Sequence, residues 1–495
     1  MTSAAAKPTR HGGDRAPGGR EIDGAGPERD HSLEIPSLEP RPIHLVGIGG
    51  AGMSGIARLL LSRGVTITGS DAKESPVLDE LRRLGARIAV GHQAAHVAGA
   101  ARVVYSAAVK EDNPELVEAR RHGVKLTTRA ALLGELMEGS ASIAVAGTHG
   151  KTTTTGMIAS IFDAAGYDPT VLIGGDLPAF GGNARAGRSP FFIAEACEAF
   201  RSFLELRPLV AVVTNVEADH LDTYGSLEGV VEAFGQFVGQ IRPTGAAILC
   251  WDDANVRRLL PHLQCRQLRY GFEDGAELSA VDLKLESATP RFTPRWRGGL
   301  LGEFELAVPG RHNVLNALAA LGVALEVGLP LEAVREGLRR FRGVGRRFEY
   351  LGEVKGVLVI DDYAHHPSEL KATLGAARQA LRRPITAIFQ PHLFSRTQQL
   401  MHEFAGSFQH ADRVIICDIY PAREAPIPGV TAEALAEAIR EREPGKEVLY
   451  VTPKEHVVAE LIERIRPGEA VLTLGAGDIR SVGEALLEEL RRHEH

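Results

Sequence analysis

Residues 145–155 read VAGTHGKTTTT and carry the strongest chemical signal in the chain. A short apolar run leads into glycines, then Lys151, then threonines that open a helical pattern. Glycines let backbone N–H groups turn toward an anion, and the N-terminus of the following helix adds partial positive charge. Although valine stands where the full G-x-x-x-x-G-K-[ST] pattern has its first glycine, the stretch predicts a phosphate-binding loop, with Lys151 on the phosphates and Thr152 on magnesium. The alternative is a plain structural turn.

A second glycine loop lies nearer the N-terminus, where Gly47 to Gly52 satisfy G-x-G-x-x-G between a predicted strand and a predicted helix. Asp71 ends the next predicted strand, at the place where an acidic residue binds a ribose in dinucleotide-binding domains. Taken alone, this pattern is typical of a nicotinamide oxidoreductase or of a tight turn without a ligand. Two phosphate loops in succession instead favour an ATP-driven enzyme that acts on a nucleotide-linked substrate.

Two further polar residues follow predicted apolar strands of the second block. Glu195 ends the strand at 191–195, and His220 lies in TNVEADHLD, just past the strand at 210–214. Because the carboxyl ends of parallel strands meet at one edge of a sheet, both side chains are expected near the phosphate loop. A carboxylate and an imidazole there suit magnesium coordination. A single Glu or His at a strand end is otherwise a capping or surface group.

The composition excludes several classes of protein. The 495 residues indicate about three domains, and the net charge of −7 with interspersed signs argues against a nucleic-acid partner. Aromatic residues make up 5% of the chain, too few for single-strand stacking platforms. The four cysteines form no CxxC pair, which fits a reducing cytosol. No apolar segment is long enough for membrane insertion, so a cytoplasmic protein is expected.

The rhythm of the chain predicts an α/β protein with three blocks after a disordered extension over residues 1–40. The blocks span residues 41–140, 141–341 and 342–495. Strands alternate with helical stretches, which indicates mostly parallel sheets covered on both faces. The predicted strands are 43–48, 65–69 and 102–106 in the first block, 142–146, 191–195 and 210–214 in the second, and 356–360, 384–389, 413–417, 447–451 and 470–474 in the third.

The order of motifs resembles that of the Mur ligase family: GIGGAGMSGIA, GTHGKTTTT, EACE, TNVEADHLD, PGRHNVLNALAA, GVGRRFE, DDYAHHP and DIYPAREAPIPG. The resemblance extends from about Ile43 to the C-terminus. It implies the three-domain Mur ligase architecture, with a Rossmann-like N-terminal domain for the uridine nucleotide, a central P-loop ATPase domain, and a Rossmann-like C-terminal domain for the amino acid and ATP.

Within the family, the motifs are most similar to those of members that join L-alanine to UDP-N-acetylmuramate. The implied reaction uses ATP and Mg2+, proceeds through an acyl phosphate, and yields UDP-N-acetylmuramoyl-L-alanine, ADP and phosphate in peptidoglycan precursor synthesis. The nearest alternative is the recycling ligase that adds a preformed tripeptide to the same acceptor, although its first glycine loop usually differs from GIGGAGMSG. A non-catalytic nucleotide-binding regulator is disfavoured because Lys151, Glu195 and His220 are all present.

The resemblance also implies roles for residues at matching positions. Those for the UDP substrate are Gly49, Gly50, Ala51, Gly52, Met53, Ser54, Asp71 and Ser106. Those for ATP are Gly147, Thr148, His149, Gly150, Lys151, Thr152, Thr153, His312, Asn313, Asn316, Arg347 and Asp362. Those for the metal are Thr152, Glu195 and His220, and those for the amino acid are Tyr363, His365 and Arg396. The implied catalytic residues are Lys151, Glu195, His220 and Arg347.

Some of these positions have simpler interpretations. Asn313 and Asn316 lie three apart on one helical face, so they are equally consistent with capping the helix after Gly310. Arg346 and Arg347 are also consistent with a solvated pair. In DDYAHHP, His365 and His366 are adjacent and point apart, so at most one is expected to face the site.

Two segments depart from the pattern of many relatives. The stretch Cys197–Arg201 replaces an acidic, serine-containing run after the metal glutamate, which leaves its role open. Leu393 stands where several relatives carry arginine, so Arg396 is the expected anion contact of that segment.

Overall fold

The protein is described here by a computed structural model that covers residues 41–422 and 424–492. The extension predicted over residues 1–40 lies outside the described residues. Three sheets follow one another along the chain, and helices cover them. Within the described ranges, no helix combines the length and apolar character needed to cross a membrane.

The first sheet has five parallel strands in the order β3-β2-β1-β4-β5. Its strands are β1 (Ile43–Val46), β2 (Ile67–Asp71), β3 (Arg87–Val90), β4 (Arg102–Tyr105) and β5 (Lys125–Thr128). Its helices are α1 (Ala51–Ser62), α2 (Pro76–Arg83), α3 (Pro114–Arg121) and α4 (Arg129–Met137). Because β1 lies at the centre of the sheet, the glycine loop that follows it opens at the point where the strand order reverses. That point is where open parallel sheets bind their ligands.

The central sheet has eleven strands in the order β15-β14-β13-β12-β11-β10-β6-β9-β7-β8, with β16 beside β14. Its strands are β6 (Ala141–Ala146), β7 (Thr170–Leu177), β8 (Gly182–Arg185), β9 (Phe191–Glu195), β10 (Val210–Val213), β11 (Ala246–Cys250), β12 (Arg266–Gly271), β13 (Leu278–Lys284), β14 (Arg291–Trp296), β15 (Gly299–Leu300) and β16 (Phe304–Glu305). Its helices are α5 (Lys151–Ala164), α6 (Leu221–Tyr224), α7 (Leu227–Gly239), α8 (Ala254–Arg257), α9 (Arg311–Glu326) and α10 (Leu331–Arg340). Strand β6 lies between β10 and β9, so the carboxyl ends of all three meet at one edge.

The third sheet has six strands in the order β17-β18-β22-β19-β20-β21, all parallel except β17. Its strands are β17 (Glu349–Val354), β18 (Val357–Asp362), β19 (Ile385–Phe389), β20 (Arg413–Ile416), β21 (Glu447–Tyr450) and β22 (Ala470–Leu474). Its helices are α11 (Pro367–Leu381), α12 (Phe394–Gln399), α13 (Met401–Ala405), α14 (Ala432–Arg442), α15 (Val457–Ile462) and α16 (Arg480–Arg492).

The predicted α/β class is confirmed, and each predicted strand overlaps an observed one. The expectation of mostly parallel sheets is confirmed, and the antiparallel pairings lie at the sheet edges. Strands β13 to β16 form an antiparallel extension of the central sheet, and β8 and β17 are antiparallel edge strands. Strand β14 alternates buried and more exposed positions because only one face is covered, whereas the parallel centre reads as continuous buried runs such as Ala141–Ala146.

The first and central domains pack through helix α1 against β7 and β8. Asn183 of β8 donates from its side-chain amide to the carbonyl of Ala51 at 2.7 Å, at the first turn of α1. Arg58 of the same helix hydrogen-bonds the Asn183 side-chain oxygen and pairs with Glu80 at 2.7 Å. The helix that follows the first glycine loop is therefore fixed relative to the domain that carries the second loop.

Helix α5, which begins at Lys151, is held from behind by α10 through a close approach at Gly337. A Cβ atom on Gly337 would lie 2.5 Å from Cα of Ile161. We expect Gly337→Ala to lower the free energy of unfolding by about 1–3 kcal/mol, because one backbone must move away from the other. Urea and thermal unfolding of the variant measure this loss.

A matched control is Gly375→Ala in helix α11, where an added Cβ would meet its nearest neighbour, His410, at 3.5 Å. That distance is an ordinary contact, so alanine should be neutral or stabilise by up to about 1 kcal/mol through its higher helix propensity. Equal losses in both variants would contradict the tight α5–α10 packing.

Candidate active site

The phosphate loop is shaped by its glycines and by the residues that follow strand β10. Gly147 and Gly150 have φ values of 139° and 80°, which favour glycine, and a Cβ on Gly147 would overlap the Thr214 hydroxyl. The backbone N–H of His149 donates to the side chain of Asn215 at 2.8 Å, and the Thr214 hydroxyl donates to the His149 carbonyl at 2.5 Å. The loop is therefore preformed, as phosphate binding at a helix N-terminus requires.

Lys151 lies partly buried at the start of α5, and its ammonium group is held by other groups of the protein. Its Nζ donates to the carbonyls of Gly147 at 2.5 Å and Thr148 at 2.9 Å, and it forms an ion pair with Glu198 at 2.9 Å. Burial alone would lower the pKa of Lys151, but the charge of Glu198 outweighs it and raises the pKa. The Cys197–Arg201 segment, whose role the sequence left open, therefore supplies the counter-charge of the phosphate-loop lysine.

The structure brings the three predicted metal residues to the same sheet edge. Thr152 contacts Glu195 there, whereas His220 lies beside Glu198. Thr152 hydrogen-bonds Glu195, whose carboxylate also accepts the N–H of Gly174 at 2.5 Å. Burial raises the pKa of Glu195 against the opposing effects of that hydrogen bond and of Lys151. His220, in a left-handed conformation with φ of 53°, lies 3.8 Å from a carboxylate oxygen of Glu198. A hydroxyl and a carboxylate together suit a hard divalent cation.

A cavity of about 230 Å³ opens between the phosphate loop and the C-terminal domain. Nine of the twelve predicted ATP-binding residues line it: His149, Gly150, Thr152, Thr153, His312, Asn313, Asn316, Arg347 and Asp362. Apolar groups of Tyr270, Leu315 and Phe348 complete the wall. A cleft with apolar walls and a few convergent polar groups is the usual form of a nucleotide site.

The two asparagines of α9 do not cap the helix. Residue Gly310 occupies the capping position, while Asn313 donates to the carbonyl of Pro309 at 2.6 Å. Asn316 donates to Asn313 at 3.1 Å and accepts from Thr154 of α5 at 3.2 Å, so it links the two helices beneath the cavity. His312 faces the same cavity, and burial lowers its pKa to about 4, which keeps the ring neutral.

Arg346 and Arg347 have separate partners, so the solvated-pair interpretation is wrong. Arg346 pairs with buried Asp361 at 3.1 Å and donates to the carbonyl of Gly475 at 2.7 Å. Arg347 instead faces the cavity, 3.6 Å from Glu369 and stacked over the ring of Tyr363. Arg346 thus fixes the backbone that presents Arg347.

Asp362 ends strand β18 with both carboxylate oxygens on backbone N–H groups. It accepts from Phe348 at 2.7 Å and from Ala364 at 2.8 Å, and burial raises its pKa to about 6. It lines the cavity but also holds the segment after Arg347 in place.

The residues predicted for the amino acid form one cluster of the C-terminal domain. The rings of Tyr363 and His365 meet edge to face at 5.3 Å, and His365 lies 5.9 Å from the ring of His392. Burial lowers the pKa of His365 to about 3, so the ring is neutral. Arg396 is buried and contacts His392 at 3.3 Å.

Arg396 was expected to hold a substrate anion, yet its guanidinium already donates to Asp219 of the central domain at 2.8 Å. Burial would raise the pKa of Asp219, but Arg396 and His220 outweigh it and hold that pKa below its usual range. The Nε of Arg396 is buried without a hydrogen-bond partner. Leu393, where relatives carry arginine, is buried with φ of 72°.

The glycine loop of the first domain uses several of its predicted ligands internally. The Asp71 carboxylate accepts the N–H of Gly49 at 2.8 Å, so in this structure it fixes the loop rather than standing free for a ribose. The Met53 side chain is buried in the core. Ser54 is also buried, with its hydroxyl donating to Ala51 at 3.1 Å. Ser106, at the end of β4, accepts the N–H of Ala108 at 3.3 Å.

Motif analysis missed several residues that complete the site. Arg129 lies over the first glycine loop, 3.0 Å from the position of a Cβ on Gly52. Glu198 neutralises Lys151. Four other side chains join the central and C-terminal domains: Glu217, Asp219, His366 and Glu369. Most belong to or follow the motifs EACE, TNVEADHLD and DDYAHHP, so the additional acidic residues of those motifs were the available signal.

Known proteins share this arrangement over nearly the whole chain. Residues 42–141, 145–324 and 346–477 match the Mur ligase family catalytic domain, the Mur ligase middle domain and the Mur ligase glutamate ligase domain. The UDP-N-acetylmuramate–L-alanine ligase of Geobacter sp. strain M21 is 48% identical over 450 residues, which cover 91% of this chain and 97% of that protein. The chain belongs to the Mur ligase family.

Two solved Mur ligase structures extend the comparison. The UDP-N-acetylmuramate–alanine ligase of Thermotoga maritima is 30% identical with a TM-score of 0.80, covering 92% of this chain and 100% of that one. A murein peptide ligase of Psychrobacter arcticus is 27% identical with a TM-score of 0.67, covering 91% and 98%. The predicted Mur ligase architecture is thereby confirmed.

His149 of the phosphate loop lies between two carboxylates that stabilise its protonated form. Burial alone would lower its pKa, but Glu369 at 3.2 Å and Glu217 at 3.6 Å outweigh burial and raise it to about 9. We expect the His149 imidazole to remain protonated at pH 7.5 and to titrate near pH 9. NMR of labelled histidine side chains measures this value, and Glu369→Gln should lower it because one attracting charge is lost.

The raised pKa of His149 also predicts how the free energy of unfolding changes with pH. Because the folded pKa lies above the unfolded value of about 6.5, the contribution is complete below that value and is lost as the pH rises through 9. His149→Asn should remove this part of the pH dependence of unfolding. If the His149 imidazole of the natural protein titrates at or below pH 6.5, the two carboxylates do not stabilise its protonated form.

Proposed function

We propose that this chain joins L-alanine to UDP-N-acetylmuramate and converts ATP to ADP and phosphate in the process. The observation that carries the proposal is the pair of glycine loops in adjacent domains, with a cavity lined by the second loop and by the third domain. The name of the Geobacter relative, at 48% identity over nearly all of both chains, supports these substrates. The reaction serves peptidoglycan precursor synthesis.

Chemistry proceeds in two balanced steps. The lactyl carboxylate of the acceptor attacks the γ-phosphorus of ATP, which forms a C–O–P bond and releases ADP. The α-amine of L-alanine then attacks the acyl carbon, the C–O bond breaks, and phosphate leaves as the amine loses a proton. No covalent enzyme nucleophile is needed, so positioning and electrostatic stabilisation account for the rate.

Each cation of the site has a place in this scheme. Lys151 exchanges its contacts with Glu198 and the loop carbonyls for the β- and γ-phosphate oxygens. Arg347, which faces the cavity from the C-terminal domain, neutralises charge on the transferring phosphoryl group. Thr152, Glu195 and His220 would hold Mg2+, which would offset the negative charge of the phosphate oxygens.

The outer domains deliver the two other substrates. The N–H groups around Gly49 to Gly52 and the nearby Arg129 bind the UDP pyrophosphate at the start of α1. Tyr363, His365 and Arg396 bind L-alanine, for which Arg396 turns from Asp219 to the alanine carboxylate. Closure of the C-terminal domain keeps water from the acyl phosphate.

The recycling ligase remains the second candidate because the Psychrobacter murein peptide ligase shares the fold at 27% identity. The assay measures ADP release and product mass with L-alanine and with the L-Ala-D-Glu-diaminopimelate tripeptide in parallel. We expect UDP-N-acetylmuramoyl-L-alanine, with glycine and L-serine poorer because small pockets discriminate by about 1–3 kcal/mol per group. Preference for the tripeptide would favour the recycling activity, and hydride transfer to NAD without ADP would overturn both.

Lys151→Ala should abolish ligation in a folded protein, since the loop loses its cation at the phosphates. Such a loss in a desolvated phosphoryl-transfer site costs several kcal/mol of transition-state stabilisation. Steady-state kinetics at saturating ATP measure it. Lys125→Ala, at an exposed lysine paired with Glu135 at 3.6 Å, is the matched control and should retain full turnover. Near-normal turnover of the Lys151 variant would refute the loop assignment.

Glu195→Gln and His220→Ala should impair activity chiefly through magnesium. Part of the lost activity should return at high Mg2+, because each variant keeps the remaining ligands of the ion. The measurement is the Mg2+ dependence of kcat and KM for ATP in each variant. Kinetics insensitive to Mg2+ in both variants would place the metal elsewhere.

A further inference from the structure

A separate cluster lies where the phosphate loop meets the C-terminal domain. His149 comes from the loop, Glu217 follows strand β10, and His366 precedes helix α11. One nitrogen of each imidazole and one carboxylate oxygen of Glu217 all lie within 4.8 Å of one another. The two rings are 4.8 Å apart. The three side chains therefore converge on one point, although they come from two domains.

Two nitrogen atoms of this cluster make no hydrogen bond. The Nε2 atoms of His149 and His366 are buried and make no hydrogen bond, and the His366 side chain is only 7% exposed. Buried polar atoms in proteins are nearly always paired, so two such atoms in one cluster call for an explanation. Without an ion, the ion pair with Glu217 accounts for the first nitrogen. No contact of that kind accounts for Nε2 of His366.

The spacing matches that of ligands around a small tetrahedral ion. A carboxylate oxygen of Glu217 lies 3.6 Å from Nε2 of His149 and 3.6 Å from Nδ1 of His366. This Nδ1 also accepts the Ser368 N–H at 3.4 Å, so an ion bound through it would replace that long hydrogen bond. Metal bonds of about 2.0–2.1 Å in a tetrahedron separate their ligand atoms by roughly 3.4 Å. Two imidazoles and one carboxylate form a donor set for zinc-like ions, whereas Mg2+ prefers oxygen ligands.

The surrounding hydrogen bonds have the arrangement found behind metal ligands. The other ring nitrogen of His149, Nδ1, faces a carboxylate oxygen of Glu369 at 3.2 Å. The Ser368 hydroxyl donates to the Glu217 carboxylate at 2.5 Å. Metal-bound histidines commonly donate their second N–H to a carboxylate, which fixes the ring and raises its basicity.

We propose that His149, Glu217 and His366 form a binding site for a divalent transition-metal cation of the zinc class. The site is distinct from the magnesium residues Thr152, Glu195 and His220, and it does not depend on the proposed ligation. Because its ligands come from two domains, a bound ion links the phosphate loop to the C-terminal domain. The ion leaves one coordination position for water, since the protein supplies three ligands.

The test is a titration of tag-free, metal-free protein with Co2+, without ATP and in millimolar Mg2+ to occupy oxygen sites. We expect one Co2+ per chain with visible absorption bands of four- or five-coordination, and displacement by Zn2+. His366→Asn keeps an acceptor for the N-terminus of α11 but removes the imidazole. Glu217→Gln keeps the acceptor for Ser368 but removes the charge. Each should weaken Co2+ binding by at least about tenfold.

Two controls separate this site from others. His122→Asn removes an exposed histidine that pairs with Glu118 at 2.8 Å, and His220→Asn removes a magnesium candidate. Both should bind Co2+ as the natural protein does, and circular dichroism with chelator present verifies that every variant is folded. Absence of Co2+ and Zn2+ binding in the natural protein would overturn the proposal. Unchanged affinity in His366→Asn and Glu217→Gln, or loss in His220→Asn, would overturn it as well.

Discussion

The neutralisation of one buried carboxylate, Glu369, holds the site together. It lies 3.2 Å from His149 of the phosphate loop, 3.3 Å from His365 and 3.6 Å from Arg347. Burial would raise its pKa, yet the charges of His149 and Arg347 outweigh it and hold that pKa well below the usual range. A buried charge is tolerated only when it is paired, so the C-terminal domain is tied to the phosphate loop by electrostatic necessity. Loss of Glu369 alone would leave the other charges uncompensated.

The cations of the site are paired in the same way. Lys151 forms an ion pair with Glu198, Arg396 with Asp219, and Arg347 with Glu369. Each cation therefore has a protein carboxylate where a substrate anion is expected. The cost of burying these charges is therefore met during folding. In the proposed reaction, an incoming phosphate or carboxylate would exchange one anionic partner for another, and little dipole reorganisation would remain for the chemical step. Domain opening and closure are the natural means of making that exchange.

Local sequence signals were sufficient for the phosphate loop, for the helix that follows it, and for the strand ends that present Glu195 and His220. Those features depend on backbone rules that act over a few residues. The partners of Asp71, Arg346 and Arg396 were not predictable, because each contact spans separate elements and is fixed only when the sheets dock. The antiparallel strands β13 to β16 were also missed, since their short alternating patterns carry a weak signal beside the apolar parallel core.

Backbone conformation adds a last constraint that no motif displays. His220, Arg346, Phe348 and Leu393 all have positive φ values, from 49° to 72°, and all lie in segments that carry site residues. Each such conformation costs a residue with a side chain roughly 1–2 kcal/mol, a cost that glycine would not incur. Glycine, however, would remove the His220 ring or the Arg346 guanidinium that the site uses. These strained conformations occur where a sharp turn must orient a side chain toward the site. Packing of the three domains compensates for their free-energy cost.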